Sequence, residues 1–254
     1  MLGPPPASEP LAGPWPAGEL SSSADATDTA YPADVTSATR EVLTPVGPAR
    51  ISREGTGDGV LVLGHGAGGG PGHQAVDLLS ARDAGLAVGL TVVQVEQPWR
   101  VAGRRVAEAP PRLDAAWLAV VAAVAADRPG PLVVGGRSSG ARVACRTAQA
   151  VGAAGVLVLA FPLHPPGRPD RTRLQELLLP TVPRLVVQGD RDAFGRPDAV
   201  PGVQVHDVRG ADHAFGVRKK DGRTPEQVRA EVRDVVGEWL GRLLRGEQSA
   251  QTLT

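Results

Sequence analysis

Six short apolar runs recur along the chain from residue 59 onward, and more polar or helix-forming stretches separate them. The runs cover residues 60–64, 90–96, 131–136, 155–161, 183–189 and 202–208. Most consist of consecutive leucines and β-branched residues, without the alternation expected of a strand that has one solvated face. The pattern therefore predicts the parallel strands of a sheet that is buried on both faces.

Helices are predicted between these runs, at about 73–84, 112–127, 140–151 and 170–179. A last helix begins after Thr224, because Pro225 suits the first helical position and Gln227 completes a capping box. Strands that alternate with helices predict an α/β fold with a mostly parallel, doubly wound sheet and helices on both faces. Only about 21 residues, 162–182, separate the fourth and fifth runs, and they include Pro165, Pro166 and Pro169. We therefore expect no separate lid domain.

The two ends of the chain differ in composition from its middle. Residues 1–37 are rich in Pro, Ala, Gly and Ser, which predicts a disordered tail. We expect one folded domain over residues 38–246 and a flexible C-terminal tail over 247–254. The segment "EVLTPVGPARI" indicates one or two short strands, and its prolines favour the edge of the sheet.

Composition and charge exclude several classes of function. The formal net charge is zero, and no basic run is interleaved with aromatic residues, so nucleic-acid binding is not expected. The longest charge-free apolar stretches are too short to span a bilayer, and no secretory signal is visible, which indicates a cytoplasmic protein. With a single cysteine and scattered histidines, we expect no disulfide within the chain, no metal and no cofactor.

One turn carries the first indication of chemistry. Gly136, Ser138 and Gly140 fit the pattern G-x-S-x-G between a predicted strand and a predicted helix. In a nucleophile elbow this pattern exposes a serine at a strained strand-to-helix turn. Because short patterns also match by chance, an ordinary glycine-rich turn is the alternative.

The other loops that follow predicted strands support the catalytic interpretation. Loops at the carboxyl ends of parallel strands gather at one edge of the sheet, so Ser138, Asp192 and His213 should meet there. A serine needs an adjacent base, and an imidazole needs a carboxylate that orients it. Asp190 and Asp212 are alternative acids, although Asp190 is better suited to capping its turn. The N–H groups of Ala67 and Ser139 are the candidate oxyanion hole.

Further side chains in these loops are candidates for contacting the substrate. They are His65, Gly66, Gly68, Trp99, Arg137 and His164. Arginines are also frequent in and near these loops, which an arginine-rich surface explains better than binding of a carboxylate group.

The motifs together resemble a known branch of the α/β-hydrolases. The segments "LGHGAGG", "GGRSSGARVA", "AFPLHPPGRPDRTR", "LVVQGDRDAFG" and "GADHAF" are similar to the KANL3/Tex30-like branch, which is related to dienelactone hydrolases. This resemblance implies an α/β-hydrolase fold with Ser138, Asp192 and His213 at the triad positions. It also implies a serine hydrolase of the carboxylesterase, thioesterase or dienelactone hydrolase type, acting on a small ester or thioester.

Two other functions remain as alternatives. The first is a non-catalytic interaction module on the same fold, since some eukaryotic members of the branch resemble scaffold components. The second is dinucleotide binding, because Gly64, Gly66 and Gly69 fit G-x-G-x-x-G and Glu96 ends the next strand. The second alternative leaves Ser138, Asp192 and His213 unexplained. The sequence leaves the oligomeric state open.

Overall fold

The computed structural model describes residues 38–68, 75–126 and 129–247. The tail predicted over residues 1–37 and residues 248–254 of the predicted C-terminal tail lie outside the described residues. The domain boundaries therefore stay predictions.

The described strands form one eight-stranded sheet, in the order β1-β2-β4-β3-β5-β6-β7-β8. The strands are β1 (Ala38–Thr44), β2 (Gly47–Glu54), β3 (Val60–Gly64), β4 (Thr91–Glu96), β5 (Leu132–Arg137), β6 (Gly155–Leu159), β7 (Arg184–Gly189) and β8 (Val203–Val208). Strand β2 pairs antiparallel with β1 and β4, and the six strands from β4 to β8 pair in parallel. The predicted mostly parallel sheet is confirmed, and the short strands predicted at its edge pair antiparallel, which the sequence did not predict.

Six α-helices lie between or after these strands in the described part of the chain. They are α1 (Val76–Ala87), α2 (Pro98–Val101), α3 (Pro110–Ala125), α4 (Ser139–Thr147), α5 (Leu174–Leu178) and α6 (Pro225–Leu244). The predicted capping box of α6 is present, with Thr224 and Gln227 bonded reciprocally. The structure also contains a short 3₁₀ turn at Lys219–Asp221.

Both faces of the sheet are covered, as the continuous apolar runs predict. In β3, Val60 and Val62 join the cluster that contains Trp117 of α3, while Leu61 and Leu63 join the cluster that contains residues of α1 and α6. The sheet is thus a buried central layer, and the loops at the carboxyl ends of its parallel strands form one edge of it.

Helices α5 and α2 differ most from the sequence prediction, and α4 also ends at Thr147 instead of residue 151. Helix α5 covers only Leu174–Leu178 instead of 170–179, because the chain before it forms turns, in which the N–H of Arg171 donates to the carbonyl of Arg168 and the N–H of Arg173 donates to the carbonyl of Leu163. Helix α2 was not predicted; it is a single turn that begins at Pro98 within the loop after β4. The segment 162–182 therefore contains one short helix and no lid domain.

Candidate active site

Ser138 lies at a strained turn between β5 and α4. Its backbone has φ 52° and ψ −110°, a conformation that costs a non-glycine residue about 1–3 kcal/mol. A Cβ atom on Gly140 would lie 2.3 Å from the carbonyl oxygen of Gly64, and one on Gly136 would lie 2.4 Å from the same atom. The backbone of β3 leaves no room for side chains at these positions, so the turn requires both glycines.

The imidazole of His213 lies between Ser138 and Asp192. Its Nε2 is 3.1 Å from Oγ of Ser138, and its Nδ1 is 2.7 Å from Oδ2 of Asp192. The three residues come from the loops after β5, β7 and β8. The side chain of His213 is 22% exposed, whereas that of Asp192 is 0% exposed. Solvent and ligands can therefore reach the three residues from the side of Ser138 and not from the side of Asp192.

The three candidate aspartates have different partners. Only Asp192 contacts the imidazole, and its other carboxylate oxygen accepts a hydrogen bond from the N–H of Phe194 at 2.8 Å. Asp190 accepts from the N–H of Gly210 at 2.8 Å. Asp212 accepts from two backbone N–H groups of its own loop, those of residues 214 and 216. The carboxylates of Asp190 and Asp212 therefore stabilise loops.

Gln188 supports the carboxylate and was not predicted from the sequence. It is fully buried in β7, and its Nε2 donates to Oδ2 of Asp192 at 2.7 Å. The same nitrogen contacts the carbonyl oxygens of Phe161 and Gly195, and Oε1 accepts from the N–H of Phe161. The signal in the sequence is a glutamine at the end of the apolar run "LVVQG", because a buried amide needs partners.

A buried ion pair adjoins the Ser138 turn. Nε of Arg137 lies 3.1 Å from Oδ2 of the fully buried Asp77, in the first turn of α1. Burial raises the pKa of Asp77 to about 6, and the positive charge of Arg137 offsets only part of this effect. Nη2 of Arg137 donates to the main-chain carbonyl of His213 at 2.8 Å. The pair thus connects α1 to the loop that carries the imidazole.

A cleft of about 870 Å³ opens at the hydroxyl of Ser138. The predicted site residues that line it are Gly66, Ala67, Gly68, Arg137, Ser138, Ser139 and His213. A Cβ atom on Gly66 would lie 3.5 Å from Cβ of Ser138, so the loop after β3 packs closely against the turn. Phe194, which was not predicted, also lines the cleft, and its ring centroid is 4.2 Å from that of His213.

Three residues predicted to contact the substrate do not belong to the described lining of this cleft. His65 is buried, and its Nε2 accepts from the N–H of Gln97 at 3.1 Å. Trp99 is also buried and packs edge-on against the His65 ring. The ring of His164 packs against Gly195, and its Nδ1 lies 2.9 Å from the carbonyl oxygen of Pro165. The contacts of these side chains support the loops of the sheet edge.

The described residues give little support to the alternative ligands. No group of three or more His, Cys, Asp and Glu side chains among them could hold a metal ion. Glu96, the candidate ribose-binding acid, pairs with Arg50 at 2.9 Å, while Gly69 of the glycine pattern lies outside the described residues. No helix of the described chain is long and apolar enough to cross a membrane.

Comparison with protein families agrees with this geometry. Residues 57–241 match the family model described as "Alpha/beta hydrolase domain". The chain belongs to the alpha/beta hydrolase family. The match does not specify a branch of the family, so membership of the KANL3/Tex30-like branch stays a prediction. No curated protein matches the chain.

Solved structures of other alpha/beta hydrolases share the fold. A serine hydrolase without a lid from Xanthomonas campestris is 21% identical, with a TM-score of 0.62 over 84% of this chain and 98% of that one. An esterase from Pyrococcus furiosus is 15% identical, with a TM-score of 0.64 over 83% of this chain and 92% of that one. Est1E from Butyrivibrio proteoclasticus is 12% identical, with a TM-score of 0.57 over 80% and 98% of the two chains. At these identities the likeness establishes the alpha/beta hydrolase fold.

Proposed function

We propose that this alpha/beta hydrolase is a serine hydrolase that cleaves small esters or thioesters. The observation that carries the proposal is the continuous series of contacts from Oγ of Ser138 through His213 to the buried carboxylate of Asp192, at 3.1 and 2.7 Å. A serine hydroxyl is a weak nucleophile, and an imidazole within hydrogen-bond distance is the group that activates it.

Acylation begins when Oγ of Ser138 attacks the carbonyl carbon of the substrate while Nε2 of His213 takes the hydroxyl proton. The carboxylate of Asp192 accepts a hydrogen bond from Nδ1–H and stabilises the imidazolium that forms. The negative charge on the former carbonyl oxygen is stabilised by the backbone N–H groups of Ala67 and Ser139, which line the same cleft. The bond to the leaving oxygen or sulfur then breaks, and His213 returns the proton to that atom.

Deacylation repeats these steps with water as the nucleophile. His213 takes a proton from water, the resulting hydroxide attacks the acyl carbon, and Ser138 leaves with the proton restored to Oγ. The absence of a lid domain in the described chain leaves the cleft open to solvent. Access of this kind suits small, soluble substrates and gives no reason to expect activation at a lipid interface.

The test of this proposal is covalent labelling with a fluorophosphonate probe, combined with hydrolysis of para-nitrophenyl acetate. We expect the wild-type protein to be labelled, and Ser138→Ala to lose labelling and about a thousandfold or more in turnover. Ser139→Ala is the matched control and keeps both, because only its backbone N–H takes part. A folded wild-type protein that resists the probe and cleaves no ester would contradict the proposal and favour a non-catalytic interaction module.

A further inference from the structure

The wall of the cleft contains an unusual number of arginines. In the described lining these are Arg137, Arg142, Arg146 and Arg173. Arg137 is paired with Asp77, as described above. The charge balance of the other three arginines bears on which substrate this cleft accepts.

Arg142 and Arg146 project from α4 and are held by carboxylates. Arg142 donates through Nε and Nη2 to both oxygens of Glu176, at 2.8 and 2.6 Å. Arg146 donates in the same two-pronged way to Asp114, at 2.9 and 2.6 Å, and through Nη1 to Glu176 at 2.8 Å. Two cations and two carboxylates therefore form a closed network that carries no net charge.

Arg173 is different, because no carboxylate among the described residues lies within ion-pair distance of it. Its Nη1 donates to the carbonyl oxygen of Pro162 at 2.9 Å, which holds the guanidinium at the wall of the cleft. Partial burial and the nearby charge of Arg142 lower the pKa of Arg173, and the charge of Glu176 raises it. A guanidinium nevertheless stays protonated in proteins, and Glu176 is already bonded to both Arg142 and Arg146, so the three arginines together exceed the carboxylates Asp114 and Glu176 by one charge.

The carboxylate of Glu108, which also lines the cleft, does not neutralise the positive charge of Arg173. Arg104 binds this carboxylate at 2.8 Å, and Arg112 binds it as well. Both of these arginines are largely exposed. Glu108 is therefore neutralised locally, and the wall formed by α4 and the start of α5 keeps one positive charge more than it has negative charges.

We propose that Arg173 binds a carboxylate carried by the substrate, so that the preferred substrates are esters or thioesters with an acid group. This inference rests on the proposed serine hydrolase function. An anion at this point would receive hydrogen bonds from a guanidinium that is already oriented by the carbonyl of Pro162, and it would compensate the excess charge of the wall. Arg173 is thus a specificity-determining residue.

The experiment compares matched esters that differ in one charge. The first pair is para-nitrophenyl hemiglutarate and para-nitrophenyl pentanoate, with the carboxylate on the acyl side. The second pair is para-acetoxybenzoate and its methyl ester, with the carboxylate on the leaving group. We expect the wild-type protein to favour the anionic member of at least one pair in kcat/KM, mainly through KM. The preference should fall as salt screens the charge.

The Arg173→Gln variant should lose this preference by roughly 10- to 100-fold, the range expected of a hydrogen-bonded charge pair. Arg171→Gln is the matched control, because that side chain is exposed and belongs to the same segment but not to the lining of the cleft. Arg173→Lys keeps the charge but loses the planar fork, so it should retain part of the preference.

The results distinguish this inference from the proposed function. If the wild-type protein cleaves the neutral esters through Ser138 at least as well as both anionic ones, the inference is overturned and the hydrolase function stands. A preference that survives in Arg173→Gln also overturns the inference. If no ester is cleaved and Ser138 is not labelled, the hydrolase function itself fails. The wild-type comparison needs no variant, so it decides even if Arg173→Gln does not fold.

Discussion

Replacing Asp77 with Asn should make the protein more stable at neutral pH, although it removes one member of an ion pair. The carboxyl of Asp77 is fully buried, and its pKa is raised from an ordinary 3.8 to about 6, chiefly by burial. Neither carboxylate oxygen has a hydrogen bond of good geometry among the described residues, although Nε of Arg137 is 3.1 Å away and the backbone N–H groups of Asp77 and Leu78 also favour the charged form. Pairing with Arg137 therefore does not repay the loss of hydration.

The pKa values give the magnitude and the sign of the effect. A tenfold change in proton affinity is worth about 1.4 kcal/mol, so a rise from 3.8 to about 6 corresponds to about 3 kcal/mol. Well above pH 6 the carboxyl is ionised in both the folded and the unfolded states, so the folded state bears the full free-energy cost of burying the charge. As pH falls from about 6 to about 4, the folded state takes up the proton first and the cost disappears. The asparagine variant has no such cost at any pH.

The assay is denaturant unfolding of the wild-type protein and Asp77→Asn at a series of pH values from 4 to 8. We expect the variant to be more stable by up to about 3 kcal/mol at pH 7.5, with the difference shrinking towards pH 4. Asp83→Asn on the same helix is the control, because that carboxylate is partly exposed and pairs with Arg82, so the change should stay below about 1 kcal/mol.

Activity should move in the opposite direction. With a neutral partner, Arg137 is held less firmly, and its hydrogen bond to the carbonyl of His213 weakens. A displaced imidazole can cost up to about 100-fold in turnover. The reasoning is refuted if Asp77→Asn is less stable than the wild-type protein at pH 7.5, or if the difference does not change with pH. Either result would mean that the attraction between the two charges outweighs the burial of Asp77.

Two further pairs of substitutions test the architecture of the site. Asp192→Asn should keep the fold but lower ester turnover by several orders of magnitude, because the imidazole loses its orienting charge. Asp190→Asn should mainly lower the free energy of unfolding, by roughly 1 kcal/mol. The reverse pattern in turnover and unfolding measurements would make Asp190 the acid. Gly140→Ala should lower the free energy of unfolding by about 1–3 kcal/mol or more, because its Cβ would lie 2.3 Å from a backbone oxygen. The control Gly237→Ala should be neutral or stabilising, because the nearest atom to its Cβ would be 3.9 Å away. Equal effects of the two substitutions on the free energy of unfolding would contradict the close packing at the turn.

The elements that could be predicted from the sequence are those with local signals. Strand β3 is a continuous apolar run, and the cap of α6 lies within the four positions 224–227, so both predictions agree closely with the structure. The glycines around Ser138 form a local pattern in the sequence, although the oxygen that excludes side chains there belongs to Gly64 of β3. Helix α5 was predicted too long because its leucines suggest a helix, whereas the N–H of Arg173 donates to the distant carbonyl of Leu163 instead of a helical partner.

The parts of the site that could not be predicted depend on contacts between distant residues. Asp77 and Arg137 meet only because α1 packs beside the end of β5, and no local pattern records that meeting. The partners of Gln188 come from two separate loops, those after β6 and β7, so its role becomes visible only when those loops are assembled. For the same reason His65 and Trp99 looked like substrate contacts in the sequence, while the structure shows them packed against each other.

The segment after β6 is closed at its base by backbone hydrogen bonds. The N–H of Arg173 donates to the carbonyl of Leu163 at 2.7 Å, and the N–H of His164 donates to the carbonyl of Phe194 at 2.9 Å. The chain between these points, 166–172, is exposed. Its entry and exit are therefore adjacent, and extra residues placed there would leave the spacing of β6 and β7 unchanged, at an entropic cost that grows only slowly with length. The protein thus has a natural point for grafting a cap that could alter substrate choice without rebuilding the sheet.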